Sequence, residues 1–301
     1  MIGAIIGDVA GSTFEFTPCK TKNFPLFAPG SSFTDDTLMT IAVAQALTRA
    51  NERGLGPCFA AFMRRMARRF PSPMGGYGAR FSQWLASDDP KPYGSLGNGS
   101  AMRVSPCAEI AFSLDIALEL ARQSAEVTHS HPEGIRGAQA VAGAIYLARS
   151  GRDKAAIRSL IEREFYPLHQ TIEQIRPLYR FDETCRGTVP QAITAFLESE
   201  SFEDAIRNAV SLGGDSDTLA CITGSIAWPY YARRGLDESM QSLRDQALGL
   251  LPEDLRAFVE AWDKAAEGNL PPRPWGIDAR ESVYDALIKS TLEGYDRNKS
   301  R

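Results

Sequence analysis

The sequence predicts an all-α protein, a single compact multi-helix domain spanning residues 1–301. Three observations carry this. Apolar residues recur at helical spacing through most of the chain, no run of alternating β-branched residues occurs, and two segments rich in glycine and alanine keep the helical spacing. Glycine costs about 1 kcal/mol against alanine in a helix interior. Helices with this much glycine are expected where close packing offsets that cost, so segments 3–10 and 134–144 belong at the centre of the fold.

The elements follow in order. MIGAIIGDVAGS reads as a core helix: it is apolar, lacks the basic start of an export signal, and meets Asp8 too early to span a membrane. Leu38, Ile41, Ala42 and Ala46 mark the next helix. In 57–70, Arg64, Arg65, Arg68 and Arg69 read as a solvated face. Ile116, Ala117, Leu120, Ala121 and Ser124 mark another helix, and Ile135, Ala138, Val141, Ala142 and Ile145 another. Further helices are expected over 190–199, 202–211, 217–231, 238–249, 253–267 and 279–295. The last follows a docking linker with Pro271, Pro272 and Pro274 and has Tyr284, Leu287 and Ile288 as its apolar stripe. Stretches 17–33, 71–95 and 165–188 read as loops.

Composition narrows the function. Hydrophobic residues make up 44% and charged residues 23%, as in an ordinary soluble protein, and the net charge of −4 argues against a nucleic-acid partner. Five cysteines, at 19, 58, 107, 185 and 221, form no CxxC pair. A disulfide framework or zinc site is therefore not expected, and a reducing, cytoplasmic setting without a membrane partner is.

Two segments break the ordinary pattern. Thr34-Asp35-Asp36-Thr37 precedes the stripe from Leu38, and Gly213-Gly214-Asp215-Ser216-Asp217-Thr218 precedes Leu219, Ile222 and Ile226. Either alone reads as helix capping, for which Asp, Ser and Thr are the preferred residues. A cap needs one side chain, however, and each segment has a surplus of mutually repelling carboxylates before a very apolar helix. Carboxylates in such a setting call for a cation. Oxygen-only ligands select Mg²⁺, Mn²⁺ or Ca²⁺ over zinc, and the number of acids suits two ions. Asp8 and Glu15 add two more acids nearby in sequence; Glu15 alone would read as a surface residue.

GAIIGDVAGSTFE, FTDDT, YGSLGNGSAMRVSP, THSHPEGIRGAQAVAGAIYLAR and GGDSDTLACITGSIA, in this order from residue 2 to about residue 232, resemble the ADP-ribosylglycohydrolase family. The resemblance implies a fold of that all-α type, with the helices of 238–298 packed on the motif-bearing part. It also implies a centre of two Mg²⁺ ions, with Mn²⁺ as the alternative, and release of ADP-ribose from a modified protein or small conjugate. Carried over, Thr34, Asp35, Asp36, Asp215, Asp217 and Thr218 are the metal ligands, and Glu15, Asp35 and Asp36 the catalytic acids. Asp8 is a supporting acid. Gly97, Asn98, Gly99 and Ser100 would serve the pyrophosphate and adjoining ribose, with Met102 on the ligand or in the core, and His129 beside ribose or phosphate. Read without the resemblance, the GNG of this loop is a tight turn or an anion-binding nest.

Arg103 reads either as a phosphate partner or as a structural ion pair, His131 as a hydrogen-bonded residue at a helix start, and His169 as incidental. One block departs from the family: a frequent Glu-Ala is replaced in Ile226-Ala227-Trp228-Pro229-Tyr230-Tyr231-Ala232, where Pro229 is expected to end or kink the helix. The expected reaction is attack of water at the anomeric ribose carbon, expelling an arginine nitrogen or a serine oxygen. The rival readings are a catalytically weak ADP-ribose-binding protein and a binuclear hydrolase of another nucleotide conjugate.

Overall fold

The computed structural model describes residues 1–49 and 54–267. The helices there are α1 (Ile2–Gly11), α2 (Asp35–Thr48), α3 (Leu55–Arg69), α4 (Ala79–Ala86), α5 (Gly99–Met102), α6 (Ser105–Ile110), α7 (Leu114–Glu126), α8 (Pro132–Arg149), α9 (Lys154–Glu164), α10 (Ile172–Ile175), α11 (Cys185–Leu197), α12 (Phe202–Val210), α13 (Ser216–Ala232), α14 (Glu238–Gly249) and α15 (Glu253–Glu267). No strand occurs among the described residues; two isolated β-bridges, Thr34 with Met74 and Gly97 with Thr184, are the only extended pairings. The linker prolines and the helix expected at 279–295 lie outside the described residues.

The centre is the antiparallel pair α1 and α13. Every residue of α1 is buried, as is nearly all of α13. Gly3, Gly7 and Gly11 are spaced one turn apart along one face of α1 and meet Gly224, Ala220 and Ser216 in turn. A Cβ at Gly7 would fall on the Ala220 carbonyl, and one at Gly3 on the Gly224 carbonyl. The two backbones therefore touch, and only glycine permits it. This contact sets the end of α1 against the start of α13, beside Glu15 and Asp217. α8 packs its small-residue face on α7, α11 and α13; a Cβ at Gly137 would meet the Cys185 thiol.

Several boundaries differ from the sequence reading. α11 starts at Cys185, not at Pro190; Thr184 caps it by accepting from the Gly187 N–H, and Pro190 sits inside the helix. α13 runs through Pro229 to Ala232 without ending there. Proline removes one N–H, and three residues from the helix end that breaks only a last-turn bond. α9 was not anticipated, and stretches read as loops contain α4 and α10. The arginine-rich face of α3 is largely exposed, as expected, with Arg69 paired to Asp254. All five cysteines are free thiols, and no described helix is long and apolar enough to cross a membrane.

The α1–α13 contact yields a stability test. Gly7→Ala gains about 1 kcal/mol of helix propensity but drives a methyl into the Ala220 backbone. Denaturant titration is expected to show a net loss of about 2–4 kcal/mol; an unchanged midpoint would contradict the backbone contact.

Candidate active site

The first acidic segment is the N-terminus of α2. Thr34 is extended and caps the helix, its Oγ1 accepting from the Asp36 N–H at 3.2 Å. Capping therefore accounts for Thr34 but for neither aspartate beside it. Behind this turn lies Asp8 of α1, fully buried. Its carboxylate accepts the Thr34 N–H (3.0 Å), the Thr34 hydroxyl (2.8 Å), the Thr37 N–H (3.0 Å) and the Thr37 hydroxyl. Four donors from one turn occupy Asp8.

The second segment is the N-terminus of α13. Gly213 and Gly214 both take positive φ, +68° and +73°; a Cβ on Gly214 would press on the Tyr179 ring and the Arg180 carbonyl at about 3 Å. The Lys20 ammonium donates to the carbonyls of Arg176 (3.0 Å), Tyr179 (2.9 Å) and Leu212, pinning this loop from outside. Asp215 stands at the N-cap position but makes no cap bond. It instead accepts from Asn98 Nδ2 at 2.6 Å.

The two segments meet. Thr218 Oγ1 donates to Asp36 Oδ2 across 3.2 Å. Glu15, Asp215 and Asp217 each present a carboxylate oxygen within 4.8 Å of the others. Asp36, Asp215, Asp217 and Thr218 are buried, while Asp35 and Glu15 are half-buried. Loop 71–78 closes over Glu15: Gly75 (φ +76°) brings its Cβ position within 2.7 Å of Glu15 Oε2.

The electrostatics are unbalanced. No ion pair reaches these acids among the described residues. Burial, then the neighbouring carboxylates, holds Asp35, Asp36 and Asp217 well above the usual carboxylate range. Burial likewise raises Asp215. Glu15 is pushed up to about 7 by burial and by Asp215, Asp8 and Glu183. Asp36 Oδ1, Asp217 Oδ1 and Glu15 Oε2 are buried without a hydrogen-bond partner. Orphaned carboxylate oxygens from three places in the chain, converging on one spot, fit hard divalent cations with oxygen ligands.

The loop bearing Gly97, Asn98, Gly99 and Ser100 lies beside the cluster. Both amide protons of Asn98 go to protein, one to Asp215 and one to Thr188 Oγ1 at 3.0 Å. The Asn98 side chain therefore positions a carboxylate and has no proton left for pyrophosphate. Ser100 Oγ donates to the Gly134 carbonyl at 2.7 Å and is wholly buried; only its backbone could reach a ligand. Met102 is in the core, its carbonyl taking the Thr40 hydroxyl and the Cys221 thiol, both at 3.4 Å.

His129 does face the loop. Its Nε2 lies 3.2 Å from the Cβ position of Gly99 and 3.5 Å from that of Gly97. Its Nδ1 is 2.7 Å from Thr128 Oγ1, which accepts from Arg103 at 2.8 Å. The Thr128 hydroxyl and His129 Nδ1 share one hydrogen bond, and Nε2 is the ring nitrogen turned toward the glycines. Burial, together with Arg103 and Arg80, holds His129 well below its ordinary pKa and hence neutral. Arg103 is buried, makes no ion pair among the described residues, and donates to the Ser124 carbonyl and Thr128. His131 caps α8 by accepting the Glu133 N–H.

Sequence reasoning missed the aiming of Asp215 by Asn98, the clamp of Lys20, and the exposed Glu183, whose charge bears on Glu15 and Asp215. No sequence pattern marks a lone lysine or glutamate for such a place.

An all-α fold whose central helix pair gathers acids able to hold divalent cations defines the class. The chain belongs to the ADP-ribosylglycohydrolase family, whose profile matches residues 1–274. It is 26% identical to the ADP-ribosylarginine hydrolase Tri1 of Pseudomonas putida (strain GB-1), over 78% of this chain and 70% of that one. It is 28% identical to the ADP-ribosylhydrolase ARH3 of Bos taurus, over 80% of this chain and 86% of that one. A solved structure titled ADP-ribosylglycohydrolase-related protein complex shares the fold with a TM-score of 0.63 and 23% identity, covering 85% of this chain and 94% of that one.

The charge imbalance has a pH signature. Between pH 4.5, the ordinary value for a glutamate, and about 7, the folded protein keeps the Glu15 proton that the unfolded chain releases. Stability without cations should therefore fall as pH rises through that window, and the raised aspartates act in the same direction. Divalent cations bind the ionised acids, so their stabilising effect should grow with pH. Thermal melts in chelator are expected to show a lower midpoint at pH 7.5 than at pH 5, with Mg²⁺ reversing the difference. Melts indifferent to Mg²⁺ at pH 7.5 would contradict a cation site.

Proposed function

We propose that this protein hydrolyses the glycosidic bond between ADP-ribose and an acceptor, reversing ADP-ribosylation of a protein or a small conjugate, with two Mg²⁺ ions, or Mn²⁺, at the acidic cluster. The observation that carries the reading is the set of orphaned carboxylate oxygens on Glu15, Asp36 and Asp217 at the meeting point of two helix starts. Thr34, Asp35, Asp36, Asp215, Asp217 and Thr218 would hold the ions, and the two names among the relatives supply the chemistry. When bound, the ions would supply Lewis acidity toward ribose hydroxyls and water.

The chain's own residues do the rest. Water forms the new bond to the anomeric carbon while the bond to the acceptor nitrogen or oxygen breaks. One water proton passes to a carboxylate, and the acceptor leaves protonated. Glu15, half-buried with Oε2 unpartnered, would take the water proton and return it to the leaving acceptor. Asp35 and Asp36, side by side at the start of α2, are the other candidate acids. Neutral His129, with Nε2 turned to the Gly97–Gly99 turn, would contact ribose or phosphate, and the backbone of residues 97–100 would line the pyrophosphate. Cytoplasmic residence is part of this proposal.

The test is release of free ADP-ribose from arginine-linked and serine-linked conjugates. Asp217→Asn leaves the packing volume unchanged and removes one unpartnered oxygen; it should lower kcat at least about 100-fold, as should chelation. In ¹⁸O water the label should enter ribose. Label in phosphate would favour the hydrolase of another nucleotide conjugate, and binding of ADP-ribose without release would favour the binding protein.

A further inference from the structure

We propose that Asp8 is a positioning residue that sets the direction of the Thr34 hydroxyl, so that Thr34 offers the acidic cluster an oxygen lone pair and not a proton. The inference deepens the cation reading above and rests on it.

A threonine hydroxyl has one proton and two lone pairs. To serve a cation it must dispose of the proton elsewhere. Thr34 does so: its Oγ1 donates to Asp8 Oδ1 across 2.8 Å. One lone pair of Thr34 takes the Asp36 N–H. One remains uncommitted, on the turn that carries Asp35 and Asp36. Thr218 follows the same logic, giving its proton to Asp36 Oδ2.

Asp8 is suited to fix this polarity. It is 0% exposed. Its other oxygen is taken by the backbone N–H groups of Thr34 and Thr37 and by the Thr37 hydroxyl. The carboxylate therefore cannot turn away without losing donors on both sides. It sits in α1, whose place is fixed by the glycine contact with α13. A neutral amide at position 8 would keep its oxygen toward the two backbone N–H groups and turn its NH₂ toward Thr34 Oγ1. That donor would fill the lone pair and leave the hydroxyl proton facing the cluster.

The experiment measures binding of Mn²⁺ alone to the full chain, from the loss of free-ion EPR signal, with folding checked by thermal melts. Asp8→Asn should weaken binding about 10–100-fold. Thr34→Val removes the hydroxyl while both backbone bonds to Asp8 persist, and should weaken it similarly; Thr34→Ser should restore it. The double variant Asp8→Asn with Thr34→Val should be no weaker than the worse single one, because both act through one oxygen. Fully additive losses, or a folded Asp8→Asn protein that binds like the wild type, would overturn the inference. Should Asp8→Asn fail to fold, equal binding by Thr34→Val and Thr34→Ser would overturn it. A wild-type protein that takes up no Mn²⁺ or Mg²⁺ would sink the cation reading itself, a separate outcome.

Discussion

The backbone contact between α1 and α13 is the constraint on which the rest depends. Three glycines on one face of α1 let the helices touch, and the touching fixes their relative height along the common axis. The end of one helix then lies beside the start of the other. Asp8, Glu15, Asp215 and Asp217, far apart in the chain, are brought together by this single packing choice. Side chains at those glycines would part the helices and dissolve the cluster along with the core.

What the contact brings together is electrostatically costly. Carboxylates that burial and mutual repulsion both raise are a debt the fold does not settle with arginine or lysine among the described residues. Lys20, the cation against the Gly213–Gly214 loop, has its ammonium turned to three carbonyls. The helix N-termini beneath the acids supply partial positive charge, and divalent cations are what the proposed function adds.

Around the acids, polar groups are aimed by partners that consume their spare protons. Asp8 takes protons from Thr34 and Thr37, Asp36 from Thr218, and Asp215 and Thr188 from Asn98. The relay from Arg103 through Thr128 reaches His129 by the same means. Such directed bonds give a site its rigidity before any ligand arrives, at the cost of burying an arginine whose charge no carboxylate among the described residues answers.

The sequence by itself determined the helical class, the central place of the two glycine-rich helices, and the acidic character of both helix starts. Each is a local matter of spacing, composition or capping chemistry, visible within a few residues. Helix limits at prolines were not legible, because Pro190 lies inside α11 and Pro229 inside α13, where each removes one N–H without ending the helix. Nor was the use of Asn98: nothing in Gly-Asn-Gly says whether the amide turns to a ligand or to Asp215, 117 residues away. Only the tertiary structure decided that FTDDT and GGDSDT meet and which oxygens there remain unanswered. The reason is physical: hydrogen-bond partnership and charge repulsion depend on distances in space, and those were set by how closely two helices could approach.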